Sequence, residues 1–227
     1  MKAAAGLLAT PARMKTINKW ESARCPLCGH GWANTKHVLN GCEMIKSRLY
    51  SWRHQKVMDV IVGAVQPHWV VVSKEQDVSS IWPQSAGVAE LAHSRPDLIL
   101  LDGATEGVLR MVILDVAVAF DESDNMQRAA QEKIRRYGPL ARALCKAAGT
   151  EVEAVIDVVP IVIGSLGSVP SSLVATLAGL SVRGQQAKKA AADASLAAIL
   201  ASQWIWRMYS GVAFGYKQLH QMRTADE

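Results

Sequence analysis

The stretch from Arg95 to Tyr137 constrains the chain most, because it sets acids inside runs that are otherwise apolar. Leu98-Ile99-Leu100-Leu101 reads as a strand opened by Pro96-Asp97. Asp102-Gly103 and Thr105-Glu106-Gly107 then supply the turn chemistry of a hairpin. The returning strand, Met111 to Phe120, is apolar almost throughout, as suits a strand covered on both faces, yet Asp115 stands in its middle. A buried carboxylate without a partner is costly, so Asp115 requires one.

The helix that follows offers it. Met126, Ala130, Ile134, Leu140, Ala141 and Leu144 recur at helical spacing, and Lys133 and Tyr137 lie on or beside the same inward face. Two aspartates from adjacent strands and an amine from the next helix can hold one divalent cation and an activated water against a phosphodiester. Each residue also has a plainer reading: Asp97 as a turn residue, Asp115 in a structural ion pair, Lys133 reaching out to solvent. Their occurrence together, in this order, favours the site.

Near the N-terminus, Cys25-Pro26-Leu27-Cys28-Gly29, His37 and Cys42 form a C-x2-C-x8-H-x4-C array. Two cysteines separated by two residues make a tight knuckle, and a histidine and cysteine on the next segment close a tetrahedral Zn2+ site. His30, inside the knuckle turn, is an awkward substitute ligand. The fourth cysteine, Cys145, falls on the apolar side of a helix and reads as a core residue.

These residues together resemble the restriction-like endonuclease of site-specific non-LTR retrotransposons, a branch of the PD-(D/E)XK nuclease superfamily. The elements of the resemblance are Arg95-Pro96-Asp97, the hairpin, Asp115 within Leu114 to Val118, Glu132-Lys133, Tyr137, and the cysteine and histidine array just upstream. Many superfamily members place lysine two residues after the second acid, where this chain has Ala117; the retrotransposon branch takes it from the following helix, as Lys133 would be. The hairpin is a few residues longer than the usual spacing. The resemblance implies that Asp97, Asp115 and the backbone carbonyl of Val116 hold Mg2+, that Lys133 orients the attacking water, and that Tyr137 positions the phosphate or locks Lys133. It further implies nucleic-acid contacts by Arg53, His54, Arg95 and Arg136, with a capping or stacking role as the plainer reading of His54. The partners would be target DNA, the element's RNA and the element's polymerase portion, in the nucleus. A second reading keeps the zinc segment and the basic helices as a catalytically inactive nucleic-acid-binding or assembly module.

At 227 residues and 50% hydrophobic, the chain can bury one sizeable core. The expected fold is α/β: a restriction-endonuclease-like core with a mixed central sheet flanked by helices, in the order β-β-β-α-β, and a small N-terminal zinc knuckle. The expected organisation is a basic leader at 1–24 continuing from a longer protein, the knuckle at 25–50, the nuclease core at 51–182 and a helical extension at 183–227. Within it, a helix is expected from Trp52 to Ala64, strands at Trp69 to Val72 and Val152 to Ile163, and a loop carrying Trp82-Pro83 and Glu90 between Ser73 and Ser94. Gly138-Pro139 should bend the helix that carries Lys133. Asp59 and Glu90 are further acids within conceivable reach of the cation. A net charge of +5 permits an anionic partner without requiring one. No secretory signal or membrane span is expected, because Asp157, Pro160, Gly164, Gly167 and Pro170 interrupt the most apolar region.

Overall fold

The computed structural model describes residues 8–19, 21–29, 31–81, 91, 93–102, 108–147 and 153–223. The expected turn at 103–107, Trp82-Pro83, Glu90 and His30 lie outside the described residues. Helix α1 (Pro11–Thr16) opens with its Pro at the first helical turn and the Thr10 hydroxyl accepting from the Arg13 N–H. The cysteine and histidine segment follows, with two π-helical turns, His37–Gly41 and Lys46–Tyr50, around a single turn at Glu43–Ile45. The chain continues through α2 (Ser51–Val65), β1 (Val70–Lys74), α3 (Val78–Ile81), β2 (Leu98–Leu101) and β3 (Val108–Ala119). It ends with α4 (Ser123–Ala147), β4 (Glu153–Gly164), α5 (Leu173–Gly179) and α6 (Gly184–Arg223).

The fold is mixed α/β, with a four-stranded sheet in the order β1-β2-β3-β4. The β1–β2 and β2–β3 pairs are antiparallel, and β3 and β4 are parallel, joined by the α4 crossover. Because side chains alternate across a strand, β3 sends Val112, Leu114 and Val116 to one face and Met111, Ile113 and Asp115 to the other. The first face packs on Val57, Met58 and Ile61 of α2 and on Ala187, Ala194 and Ala198 of α6. The second packs on Tyr137, Leu140 and Leu144 of α4. The helix expected as a C-terminal extension therefore supplies part of the sheet's core, and it runs well past Tyr209. No helix among the described residues is long and apolar enough to cross a membrane.

Helix α4 is continuous through Gly138-Pro139, with Pro139 exposed. One expectation is corrected there. Ile134, expected inward, is 49% exposed, while Lys133 one position earlier turns toward the sheet. Beyond the sheet, the Asp121 carboxylate accepts from the N–H groups of Leu166 (2.5 Å) and Ser168 (2.8 Å) and from the Ser165 hydroxyl (3.3 Å). This clamp joins the ends of β3 and β4 and holds the parallel pair in register.

Candidate functional site

Strand length sets the position of the acids. Register pairs Leu98 with Leu114, so β3 runs on past the start of β2, and the Val116 N–H has no strand neighbour on that side. The Asp97 carboxylate fills the gap, with Oδ2 accepting from the Val116 N–H at 2.7 Å. From α2, His54 Nε2 reaches the same Asp97 oxygen at 2.9 Å and lies 3.2 Å from the Val116 carbonyl oxygen. Burial disfavours the charged imidazole, but bonding to and charge on Asp97, with the Val116 carbonyl, raise the His54 pKa above its ordinary 6.5.

Asp115 leaves β3 one residue earlier, on the α4 face, and is 1% exposed. The Lys133 ammonium from α4 forms an ion pair with its Oδ2. One turn on, the Tyr137 hydroxyl donates to the Arg95 carbonyl at 2.9 Å and faces Asp115, tying α4 to the segment that leads into Asp97. Burial, reinforced by the charge of Asp97, raises the Asp115 pKa, while Lys133 and Tyr137 act in the opposite direction. Burial likewise raises the Tyr137 pKa, with the Asp115 charge adding to it.

Asp97, Asp115, Val116, Lys133, Tyr137 and His54 therefore meet at one end of the sheet. Arg95 and Arg136 stand exposed at its rim, the first donating from Nε to the Glu75 carbonyl at 2.5 Å and the second lying over the Tyr137 ring. Arg53 is a correction. Expected against nucleic acid, it is 1% exposed, donates to the Ser202 hydroxyl at 3.0 Å and stacks over Tyr50. Burial lowers its pKa to about 10. Asp59 stays outside the site, exposed and paired with Gln55 and Lys74. Sequence reasoning passed over Glu75, which follows β1 directly. The β1–β2 register sets it beside Asp97, with its N–H donating to the Asp97 carbonyl at 3.0 Å.

The second cluster is the Cys25, Cys28, His37 and Cys42 group, whose donor atoms all lie within 4.8 Å of one another. A tetrahedral site with Zn–S bonds near 2.3 Å and Zn–N bonds near 2.0 Å has edges of about 3.8 Å between sulfurs and about 3.5 Å from sulfur to nitrogen. Cys25 and Cys42 Sγ are 3.8 Å apart, and Cys28 Sγ is 3.5 Å from His37 Nε2, so these two edges match a tetrahedral zinc site and the cluster can hold a metal such as zinc. The cysteines are free thiols.

Surrounding bonds hold this cage. The Asn34 side chain accepts from the His37 N–H at 2.9 Å, and the Tyr50 hydroxyl accepts from the Cys42 N–H at 3.0 Å while donating to the Val38 carbonyl at 2.8 Å. Tyr209, fully buried on α6, brings its hydroxyl to 3.4 Å from Cys25 Sγ. Burial raises the Cys25 pKa, but bonds from Tyr209 and the backbone of Cys28 and Leu27 outweigh it and bring the thiol down to about 6. Burial and the neighbouring Cys25 charge push Cys42 up to about 12. A second thiolate in the cage thus needs a cation to accompany it. Of the C-terminal aromatics, Tyr209 and Trp206 stack together, and Trp204 packs on Trp52. Compared with known proteins, the chain matches no protein-family model and no curated protein.

Proposed function

We propose that the chain is a metal-dependent DNA endonuclease with a restriction-like core, nicking target DNA to prime reverse transcription by a site-specific non-LTR retrotransposon. The observation that carries this reading is the meeting of Asp97 and Asp115, from neighbouring strands, with Lys133, delivered by the crossover helix between the parallel strands. The order of elements and the C-terminal helix packed behind the sheet accord with it, as does a zinc-sized cage upstream.

Asp97 and the Val116 carbonyl would supply oxygen donors to Mg2+, with Asp115, held by Lys133, beside them, and the arrangement fits a cation. His54 Nε2 lies within hydrogen-bond distance of both Asp97 Oδ2 and the Val116 carbonyl oxygen, a place between two oxygens that favours positive charge. A divalent cation bound there supplies Lewis acidity and lowers the pKa of water. Lys133, held on Asp115, would orient the attacking water and offset charge gathering on the scissile phosphate. Tyr137 fixes the helix turn that carries Lys133. Arg95 and Arg136 at the rim meet the DNA backbone. Zn2+ in the Cys25, Cys28, His37 and Cys42 cage has a structural role. The reading includes nuclear localisation, with element RNA and the element's polymerase portion as partners.

The test is a plasmid-nicking assay with Mg2+, comparing the wild type with Asp97→Asn and Lys133→Ala. Nicking by the wild type and its loss in both variants supports the reading, and equal cleavage by all three refutes the site. A wild type that binds DNA without cleaving it supports the inactive binding or assembly module instead.

A further inference from the structure

The proposed cation donors leave Glu75 and His54 without a role, although both side chains stand beside Asp97. Glu75, His54 and Asp97 come from three separate elements, and one donor atom from each falls within 4.8 Å of the other two. Among the described residues, the Glu75 carboxylate has no lysine or arginine within ion-pair distance, and the His54 imidazole is the only basic group in this cluster. Two carboxylates brought this close repel each other unless positive charge lies between them.

Backbone contacts set this approach. Glu75 takes a left-handed conformation, φ 50°, anchored by its N–H on the Asp97 carbonyl and its own carbonyl on Arg95. Asp115 offers a poorer second ligand, since its carboxylate is buried and paired with Lys133.

We propose that Glu75 and His54 bind the catalytic cation together with Asp97, while Asp115 acts by positioning Lys133. This rests on the nuclease reading for the word catalytic; the cation site itself stands on the three donors. The site presents two carboxylates and one imidazole nitrogen, Nε2, and leaves the remaining positions to water and a phosphate oxygen. Carboxylates suit Mg2+ and Mn2+, whereas an imidazole ligand favours the softer of the two, so Mn2+ binds more tightly than Mg2+.

The experiment titrates Mn2+ into the full chain with its cysteine cage loaded with Zn2+. Free Mn2+ is followed by electron paramagnetic resonance, and the bound ion is probed for nitrogen coupling in pulsed spectra. The expected result is a bound Mn2+ with one directly coordinated nitrogen. Coupling is lost in His54→Gln, affinity falls tenfold or more in Glu75→Gln, and Asp115→Asn stays within threefold of wild type. Unchanged zinc content and unfolding midpoint establish that each variant is folded, and Glu75→Asp recovers part of the affinity. Wild-type affinity in Glu75→Gln, absence of nitrogen coupling in the wild type, or a larger loss in Asp115→Asn than in Glu75→Gln would each overturn the assignment. Mn2+ bound as described without any nicking of plasmid leaves the cation site standing and defeats the nuclease reading. Nicking with wild-type Mn2+ affinity in Glu75→Gln does the reverse.

Discussion

Replacing Lys133 by methionine keeps most of the side chain's volume and removes the cation that Asp115, 1% exposed, relies on. Breaking a buried pair from one side costs roughly 3 to 5 kcal/mol, because a carboxylate is left unpaired in a poor solvent. Protonation sets a ceiling on that cost. At pH 7 a carboxyl whose ordinary pKa is 3.8 takes up a proton for about 4.4 kcal/mol, and at pH 5 for about 1.6 kcal/mol. Without Lys133 the folded pKa of Asp115, already raised by burial, rises further. Between 3.8 and that higher value the folded chain binds more protons than the unfolded one, so stability falls as pH rises through the window. Lys133→Met should therefore lose about 3 to 4 kcal/mol at pH 7 and less than about 2 kcal/mol at pH 5, relative to wild type under the same conditions. The double variant Lys133→Met, Asp115→Asn should recover most of the loss. Urea unfolding of the zinc-loaded chain at both pH values measures all of this. A loss below about 1 kcal/mol at pH 7, or one that does not change with pH, would mean that water reaches the carboxylate and the argument from burial fails.

Cys28→Ser should abolish zinc retention by metal analysis, and Tyr209→Phe should weaken zinc affinity about tenfold in a chelator competition, because the phenol bond to Cys25 is lost while the ring remains. Gly164→Ala should cost about 1 to 3 kcal/mol in thermal unfolding, since a Cβ there would overlap the Asp121 carboxylate, which is fixed by two backbone amides. In the absence of divalent cations, the contribution of His54 should be fully present below its ordinary 6.5 and be lost as pH rises through the higher folded value. His54→Gln should remove that dependence from stability curves recorded between pH 6 and 8.

The strands that carry the acids were legible because continuous apolar runs leave few alternatives. β2 falls at Leu98–Leu101 as read, and β3 brackets Asp115 as expected. Lys133 and Tyr137 are four residues apart, so one helix face delivers both. The cysteine and histidine cluster was legible from spacing, since its residues lie close in sequence. Arg53 was misread for a geometric reason: neighbouring residues on a helix point about 100° apart, so a helix that turns His54 to Asp97 turns Arg53 toward α6. Glu75 carried no signal of its own. It sits in a short polar run, Ser73 to Asp77, and becomes a site residue only through pairing of β1 with β2, a register fixed by contacts distant in sequence.

The phenol of Tyr209 touches a cage thiol 184 residues away in sequence. Closing so long a loop is slow, and such contacts are among the last a chain makes. On a ribosome the cysteines emerge well before the tyrosine that completes their surroundings. Any metal taken up before α6 docks would be held by a partial cage, and its retention would report whether that helix has packed.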